Sequence, residues 1–474
     1  MKIFKNFIMN SSYQILLIIL PIVTAPYISR VLGVEGIGMY SYVVNIVQYF
    51  VIFSILGTVT YGNREVAYFQ DDILKRSQTF WEISFLSWFT SGISIVCFFI
   101  FILIDKSKTV VYILHGISIL PSTLDISWYF SGRERFNIIV LRNFVIKILT
   151  VVFIFLFVKK ADDLTKYIAI MSISGLLGSI SLWPFLKNEV IPPVVKNLKV
   201  FKHLKPTLVL FLPTVAVSFY SLINKLLIGQ FDSKIHLGFY TQSDTILKMA
   251  LSILTALMTV MLPRVSNMFA RGDLEGIKKI TEKTFNLSSG FSIGVCAGIS
   301  SIALGFAPFF FGNQFSMVGL ILIIESPLVV AISWNYIFGG QYLLPMNRMK
   351  IYTGSAVLGA VVSVLLNIAV IPFYGIIGAT VVTVVSEFVV SFYQLYHIKN
   401  EFNLLKMFSE LWKYVLAALG MFIIVFYMNQ TFEMTIFQLL LQIFIGVLVY
   451  LILNILLDTE IALFIKSLVK KFKN

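Results

Sequence analysis

The sequence predicts an all-α protein that crosses a membrane many times. We expect about 14 transmembrane helices, arranged as two parallel six-helix lobes plus two C-terminal helices. The chain has 474 residues, of which 58% are hydrophobic and only 13% charged, and its mean hydropathy is +0.89. A soluble globular protein is nearer to about half apolar and about a quarter charged. Uncharged runs of spanning length recur along the chain, and its two halves share a spaced pattern of residues.

The first uncharged run, residues 6–29, follows a few basic residues like those at the start of a signal peptide. It is too long for the apolar core of a signal peptide and lacks a small-residue cleavage site, so we interpret it as a first transmembrane helix. A spanning helix needs about 20 mostly apolar residues. We divide two longer uncharged stretches at residues 305–315 and 371–375. The predicted spans are 8–29, 37–63, 83–104, 109–130, 137–158, 167–186, 207–230, 237–262, 284–305, 316–338, 351–371, 375–396, 414–432 and 434–457.

Basic residues are concentrated in alternate loops. The N-terminus, the even-numbered loops and the C-terminal tail hold 26 of the 37 Lys and Arg residues, whereas the odd-numbered loops hold 7. Because cytoplasmic loops of membrane proteins are enriched in Lys and Arg, both termini are predicted to lie in the cytoplasm. The same bias accounts for the net charge of +14, so no nucleic acid partner is expected. Cys97 and Cys296 lie in apolar spans, and we expect buried, inert thiols.

The two predicted lobes share a sequence repeat. LPIV at 20–23 recurs as LPTV at 212–215, and GMY at 38–40 recurs as GFY at 238–240. In each copy an arginine follows the tyrosine by 24 residues. Each copy begins on the predicted cytoplasmic side, so the lobes are parallel repeats and their seam is the expected substrate path. The predicted divisions are a first lobe at 1–186, a cytoplasmic linker at 187–205, a second lobe at 206–398, and helices 13 and 14 with the tail at 399–474.

Small and kink-forming residues mark some of these spans. Pro21 and Pro26 in the first span lack a backbone N–H and favour a kink, which is either static or part of a moving helix. Gly290, Gly294 and Gly298 in the ninth span are four residues apart. They predict a seam along which another helix packs closely.

Eight ionisable side chains lie inside the predicted spans, where charge is costly and by default indicates a functional site. They are Asp125, Arg142, Lys147, Lys225, Asp244, Lys248, Glu325 and Glu387. Depth along the helices, at about 1.5 Å per residue, suggests that Asp125 pairs with Arg142 and Asp244 with Lys225. Lys248 is one helical turn from Asp244 and competes for the same contact.

With those pairings, Lys147 and Lys248 have no acidic partner in their own hairpins, and both lie near mid-membrane, one in each half. Two cations beside the seam suit an anionic substrate, above all a phosphate. Arg142 and Lys225 are the next candidates for substrate binding. The alternative is that every charge pairs or extends to the membrane surface, and none contacts the substrate.

Glu325 and Glu387 have no cation in their own helices, so they are candidates for proton coupling or, alternatively, for cross-helix hydrogen bonding.

His115 is expected to be a hydrogen-bonded core residue. No Walker-type phosphate loop, HExxH or CxxC motif occurs, so no cofactor or metal is expected. The predicted outer loops are short, which disfavours a membrane polymerase or ligase.

Eight stretches carry a family resemblance: NSSYQ (10–14), APYISRVLGVEGIGMYSY (25–42), YGNREVA (61–67), DISWYFSGRERF (125–136), GFYTQSDTILKM (238–249), LPRVSNMF (262–269), GGQYLLPMNR (339–348) and IPFYGIIGATVVTVVSE (371–387). In them the chain resembles the bacterial flippases of lipid-linked repeat units for O-antigen and capsular polysaccharide. That family belongs to the multidrug/oligosaccharidyl-lipid/polysaccharide exporter superfamily. The chain departs from the family at Ser131, where the DxxWxxQG pattern has Gln, and at Asn224, where an acidic residue often precedes the span-seven lysine.

The resemblance implies a non-enzymatic transporter of the bacterial cytoplasmic membrane whose two lobes open alternately around a cationic cavity. The implied substrate is undecaprenyl pyrophosphate carrying an oligosaccharide, which moves from the cytoplasmic to the outer leaflet for capsule or O-antigen biosynthesis. Proton or sodium coupling is implied for relatives, and polysaccharide polymerase machinery is an expected partner.

Three alternatives stay open. They are a multidrug cation antiporter of the same superfamily, a peptidoglycan-precursor flippase of the same fold, and a membrane glycan polymerase or ligase. The site of an antiporter is expected to be acidic and aromatic, whereas the spans of this chain hold four bases and four acids.

Overall fold

The computed structural model is helical, and no strand occurs among the residues it describes. These are residues 2–106, 109–187, 189–193, 196, 198–463 and 466, with side chains described except at 2–18, 212–214, 216–221, 253–260 and 262–263. The helices are α1 (Lys2–Ile55), α2 (Thr58–Tyr68), α3 (Ile73–Ile104), α4 (Thr109–Gly116), α5 (Ile119–Leu124), α6 (Ser127–Gly132), α7 (Phe136–Phe157), α8 (Leu164–Ile180), α9 (Leu204–Phe231), α10 (Lys234–Ala270), α11 (Leu274–Phe311), α12 (Met317–Glu325), α13 (Leu328–Asn335), α14 (Met349–Ile398), α15 (Leu404–Phe408), α16 (Leu411–Thr431) and α17 (Ile436–Leu456). A π-helical segment, Tyr336–Leu343, continues α13.

Within the described part of the chain, nine helices are long and apolar enough to cross a membrane, or ten if one bent pair counts as a span. The bent pair consists of Asn313–Glu325 and Leu328–Leu343, which meet at 45°. The predicted fold class, an all-α multi-pass membrane protein, is confirmed. The number of 14 spans stays a prediction.

Two long helices each cover two predicted spans. α1 runs through the predicted loop between spans one and two, and only Gly33 (φ 68°) departs from helical geometry. The break predicted between these two spans is confirmed in position, because two helices meet at the Gly33 kink, although a sharp bend replaces the expected loop. A kink at Pro21 or Pro26 stays a prediction. α14 likewise bends at Gly375 (φ 52°), within the predicted break at 371–375. A positive φ is strained for most side chains, so glycine permits both sharp bends.

Two predicted spans are broken in the structure. The second is interrupted between α1 and α2, where Leu56 and Gly57 have positive φ angles of 46° and 75°. The fourth, expected as one helix over 109–130, is instead the three short helices α4, α5 and α6. At the last break, Asp125 accepts hydrogen bonds from the Ser127 backbone N–H at 3.0 Å and its hydroxyl at 2.8 Å. Such local side-chain bonds compete with continuous helix.

The chain divides into two compact units, residues 1–226 and 227–474, which we call the first and second unit. The division lies inside α9 rather than in the predicted linker. The start of α9 belongs to the first unit because it packs there: the rings of Phe53 and Phe211 have centroids 6.0 Å apart. The predicted lobe boundaries stay a prediction.

A buried hydrogen-bond network fastens the residues before α9 to the first unit. The ring nitrogens of His203 lie 2.8 Å from the Tyr61 hydroxyl and 2.8 Å from a Glu82 carboxylate oxygen. Glu82 also accepts from the Lys199 backbone N–H at 2.8 Å, and Lys202 Nζ lies 2.6 Å from it. Burial lowers the pKa of His203, so this histidine is neutral near pH 7 and serves as a hydrogen-bonding group.

In the second unit, α11 packs against α16 and α17 through its glycines. A Cβ at Gly290 would lie 2.6 Å from a Tyr414 ring carbon, and one at Gly294 would lie 2.7 Å from a Tyr450 ring carbon. The Tyr450 hydroxyl donates to the Gly290 carbonyl at 2.5 Å. The predicted packing seam is confirmed at these two glycines, because no larger residue leaves room for the tyrosine rings.

The residues that cap α3 and α11 extend the sequence repeat. Asp72 caps α3 by accepting from the Leu74 and Lys75 backbone N–H groups, and Asp273 caps α11 by accepting from that of Gly276. Each aspartate follows the repeated arginine, Arg64 or Arg264, by nearly the same number of residues. α3 and α11 are therefore corresponding helices of the two halves.

Candidate functional site

Asp125 and Arg142 contact each other in the first unit. Arg142 Nη2, on α7, lies 3.6 Å from Asp125 Oδ1, at the end of α5. A Cβ at Gly178 on α8 would lie 3.2 Å from Arg142 Nη1, so a small residue there leaves space for the guanidinium. The predicted pairing of Asp125 with Arg142 is confirmed. Asp125 thus has two roles, since it also holds the turn into α6 through Ser127.

Lys248 has an acidic partner on its own helix. Its Nζ lies 2.8 Å from Asp244 Oδ2, one turn away on α10. The prediction that Lys248 lacks an acidic partner in its hairpin is therefore wrong, because the i, i+4 spacing brings the two side chains together. The Lys248 side chain is 65% exposed and that of Asp244 only 19%. Lys225, on α9, is half-buried.

The surroundings of Lys147 differ from those of Arg142 and Lys248, which both form ion pairs. Lys147 lies near the middle of α7 and is exposed rather than packed inside the first unit. Among the described residues, no acidic group lies within ion-pair distance of its ammonium. A lysine facing hydrocarbon at mid-helix costs at least about 2.5–3.5 kcal/mol. We therefore expect this ammonium to face water or an anion.

Glu325 and Glu387 lie in the second unit. Glu325 ends α12, is 1% exposed, and accepts a hydrogen bond from the Ser243 hydroxyl of α10. It therefore forms the cross-helix hydrogen bond that was one of its two interpretations. Glu387 is half-buried on α14. A role of either carboxylate in proton coupling stays a prediction.

The remaining residues considered in the sequence analysis are one histidine and two cysteines. His115 is buried, and its Nδ1 lies 3.4 Å from the Ser172 hydroxyl, which confirms a hydrogen-bonded core histidine. Cys296 is half-buried, 3.3 Å from the Ser326 hydroxyl. Cys97 is exposed, so the prediction of a buried thiol is wrong there. It lies on an apolar face of α3, where an exposed side chain in a membrane protein meets lipid.

Sequence reasoning did not find two buried carboxylates, Glu82 and Glu189. Glu82 is 0% exposed and Glu189 8% exposed, and basic groups surround both. Their partners are distant in the sequence: His203 is 121 residues from Glu82. The one available signal was that each glutamate adjoins a predicted span in a basic cytoplasmic segment, and that signal does not identify a partner.

We predict that Asp125→Ala destabilises the protein more than Asp125→Asn. Asparagine keeps an oxygen that accepts from the Ser127 backbone but loses the charge that faces Arg142. Alanine loses both, and an intramolecular hydrogen bond contributes about 0.5–1.5 kcal/mol. The measurement is the apparent Tm of the purified protein in detergent at a fixed scan rate.

Ser127→Ala, which removes only the hydroxyl bond, is the control and should shift the Tm least. The exchanged pair, Asp125→Arg with Arg142→Asp, should keep the ion pair but not the hydrogen bonds to Ser127, and therefore retain part of the transport activity. Equal Tm values for the Ala and Asn variants would show that the turn into α6 does not depend on Asp125.

The family model described as "Polysaccharide biosynthesis protein" matches residues 3–269. A protein of Escherichia coli strain K12 named "Putative O-antigen transporter" is 23% identical over 390 residues, which are 81% of this chain and 93% of that protein.

Two solved structures show the same fold. Lipid II flippase MurJ, in an inward closed conformation, matches with a TM-score of 0.76 and 16% identity, covering 98% of this chain and 100% of that one. An inward-facing multidrug resistance MATE family transporter of the MOP superfamily matches with a TM-score of 0.63 and 12% identity, covering 82% and 95%. At these identities the likeness concerns the fold alone.

Proposed function

The chain belongs to the polysaccharide biosynthesis protein family, and on that premise we propose that it is a flippase for lipid-linked oligosaccharides. The proposed substrate is an oligosaccharide repeat unit on undecaprenyl pyrophosphate. It moves from the cytoplasmic to the outer leaflet of a bacterial cytoplasmic membrane by alternating access, and it supplies capsule or O-antigen biosynthesis. Both chain termini face the cytoplasm in this proposal. The relative named as an O-antigen transporter supports the glycan class.

Lys147 carries the proposal. A pyrophosphate cannot cross hydrocarbon unaided, because its charges lose their water. An exposed ammonium at mid-helix, with no described carboxylate beside it, replaces part of that hydration. Lysine also acts as a point charge that imposes little geometry, which suits a headgroup that must change its surroundings during translocation.

Lys248 is the second proposed phosphate ligand, and its ion pair with Asp244 affects how strongly it binds phosphate. The lysine is the exposed member of the pair and the aspartate is the more buried one. An arriving phosphate competes with Asp244 for the ammonium, and the carboxylate recovers the ammonium when the substrate leaves. Binding is then moderate and release is easy. Two further phosphate ligands are proposed, Arg142 on α7 and Lys225 on α9.

Glu325 and Glu387 are the proposed coupling groups. Glu325 is almost completely buried, and an ionisable side chain inside a membrane span is by default a functional-site candidate. Proton exchange at these two side chains would link the transport cycle to the proton gradient. The Ser243 hydroxyl that contacts Glu325 donates to the charged carboxylate and accepts from the protonated one.

The experiment is deletion of the gene in its bacterial host, with complementation by the wild-type chain. We expect loss of surface polysaccharide, accumulation of the lipid-linked repeat unit in the inner leaflet, and normal peptidoglycan and drug sensitivity. Drug sensitivity with a normal surface glycan would instead support a cation antiporter. Accumulation of peptidoglycan precursor would support the precursor flippase, and short surface chains without precursor accumulation would support a polymerase.

A further inference from the structure

Each unit contains a tyrosine, an arginine and a glutamate that contact one another. In the first unit, the Tyr129 hydroxyl lies 3.4 Å from Glu189 Oε2 and donates to the Glu189 backbone carbonyl at 3.1 Å. Arg135 Nη2 lies 2.6 Å from Glu189 Oε1. We call Tyr129, Arg135 and Glu189 the first clamp.

The second unit repeats this arrangement. The Tyr342 hydroxyl donates to Oε2 of Glu401, and the Arg348 guanidinium donates to Oε1 of the same carboxylate. In both units the arginine binds one oxygen of the carboxylate and the tyrosine hydroxyl lies on the side of the other oxygen. The Tyr129 hydroxyl donates to the backbone carbonyl of its glutamate, whereas the Tyr342 hydroxyl donates to the carboxylate. In both, the arginine follows the tyrosine by six residues. We call Tyr342, Arg348 and Glu401 the second clamp.

The backbone of the two clamps also matches. The residue before each clamp arginine has a positive φ: 56° at Glu134 and 58° at Asn347. Each clamp arginine donates its backbone N–H to the carbonyl five residues earlier, Phe130 at 2.8 Å and Leu343 at 3.0 Å. Each also immediately precedes the next long helix, α7 or α14. Positive φ is uncommon outside glycine, so this shared feature indicates one repeated structure.

Each clamp joins corresponding helix ends. In each half the arginine lies between the fourth and fifth predicted spans, the tyrosine lies at the end of the fourth span or just after it, and the glutamate follows the sixth span. The first clamp has further support from two arginines: Arg76 Nη2 donates to the Glu189 carbonyl at 3.1 Å, and Arg133 Nε lies 3.5 Å from Glu189 Oε2. The first clamp therefore also holds the start of α3.

We propose that the two clamps are matched fixed joints that stay closed throughout the transport cycle, so that the helices of each half move together. This inference rests on the proposed function, because only a transporter has such a cycle. Tyr129 is 0% exposed and Tyr342 1% exposed. Opening either clamp would separate a buried tyrosine hydroxyl from the glutamate oxygen that accepts its hydrogen bond, and this opposes the use of the clamps as gates.

The experiment locks each clamp covalently. In a background carrying Cys97→Ala and Cys296→Ala, we would introduce Tyr129→Cys with Glu189→Cys, or Tyr342→Cys with Glu401→Cys. A flexible bismethanethiosulfonate then bridges the two thiols, and the extent of the reaction is read by mass. We expect the unbridged pairs to translocate lipid-linked oligosaccharide several-fold more slowly in vesicles. Bridging should restore most of the parent's rate, and reduction should abolish the gain.

The matched control bridges Glu275→Cys and Lys278→Cys, a surface ion pair within the single helix α11, and should change nothing. Fully bridged clamps that block transport while the control transports normally would overturn the proposal, because a joint that must open cannot be locked. A cysteine-free parent that moves no glycan would instead contradict the proposed function.

A second measurement needs no clamp variant. Hydrogen–deuterium exchange on the unmodified protein reports the peptides that cover residues 129–136 and 342–349. We expect the same deuterium uptake in both peptides with and without ongoing transport. Uptake that rises during transport, in either peptide, would show that the clamp opens and would overturn the proposal even if the cysteine variants fail to fold.

Discussion

Replacing Lys147 with alanine is expected to lower translocation about ten- to a hundredfold at unchanged membrane expression. A hydrogen bond to a charged group contributes about 1.5–3 kcal/mol, and each 1.4 kcal/mol corresponds to about a tenfold change in an equilibrium constant. Surface polysaccharide should fall and the lipid-linked repeat unit should accumulate in the inner leaflet. Lys147→Arg should keep part of the activity, because it keeps the charge with a different geometry.

The double variant, Lys147→Ala with Lys248→Ala, should show no measurable translocation. Lys248→Ala alone should have a smaller effect on transport, and it should also lower the apparent Tm because Asp244 loses its partner at 2.8 Å. Lys159→Ala, at an exposed position just after α7, is the matched control and should transport normally. Normal transport by the double variant would refute the phosphate-binding role of both lysines.

Replacing Gly319 with valine is expected to destabilise the second unit severely. Gly319 lies near the start of α12, and a Cβ there would lie 2.8 Å from the Ala303 carbonyl oxygen and 3.0 Å from Leu304 Cα, both in the backbone of α11. A backbone cannot give way as a flexible side chain can. Overpacking costs about 1–3 kcal/mol, so we expect a lower apparent Tm and less folded protein in the membrane.

The control is the same substitution at Gly92, on α3, where a Cβ would have no neighbour within 4 Å. Both variants place a β-branched residue in a helix, so their difference isolates the contact between α11 and α12. Fluorescence-detected size-exclusion chromatography after heating gives the surviving fraction. Equal survival of the two variants would mean that the approach of α12 to α11 contributes little to stability.

Some side-chain contacts were predictable from the sequence because they are local or lie at equal depth. The Asp125–Arg142 contact joins two helices of one hairpin, so counting residues from the shared end was sufficient. The glycine seam of α11 follows from spacing alone, since glycines four apart lie on one face of a helix. The bend at Gly375 follows from a Pro- and Gly-containing break in an uncharged run.

Other contacts were not predictable from the same patterns. The contact of Lys248 with Asp244 depends on side-chain direction, which hydropathy does not report. The break between α5 and α6 coincides with the local hydrogen bonds of Asp125 to Ser127, which hydropathy does not report. The clamps join residues far apart in the sequence, and nothing near Glu189 or Glu401 indicates the partner.

The sequence by itself determined that this protein is an all-α, multi-pass membrane protein of the polysaccharide biosynthesis family. The physical reason is that backbone groups in hydrocarbon must bond within their own segment, so each long uncharged run becomes a helix. The tertiary structure alone decided which charges are neutralised and which, like Lys147, remain exposed without a described acidic neighbour. Ion pairing requires approach within about 4 Å, and only the packing of helices distant in the chain sets such distances.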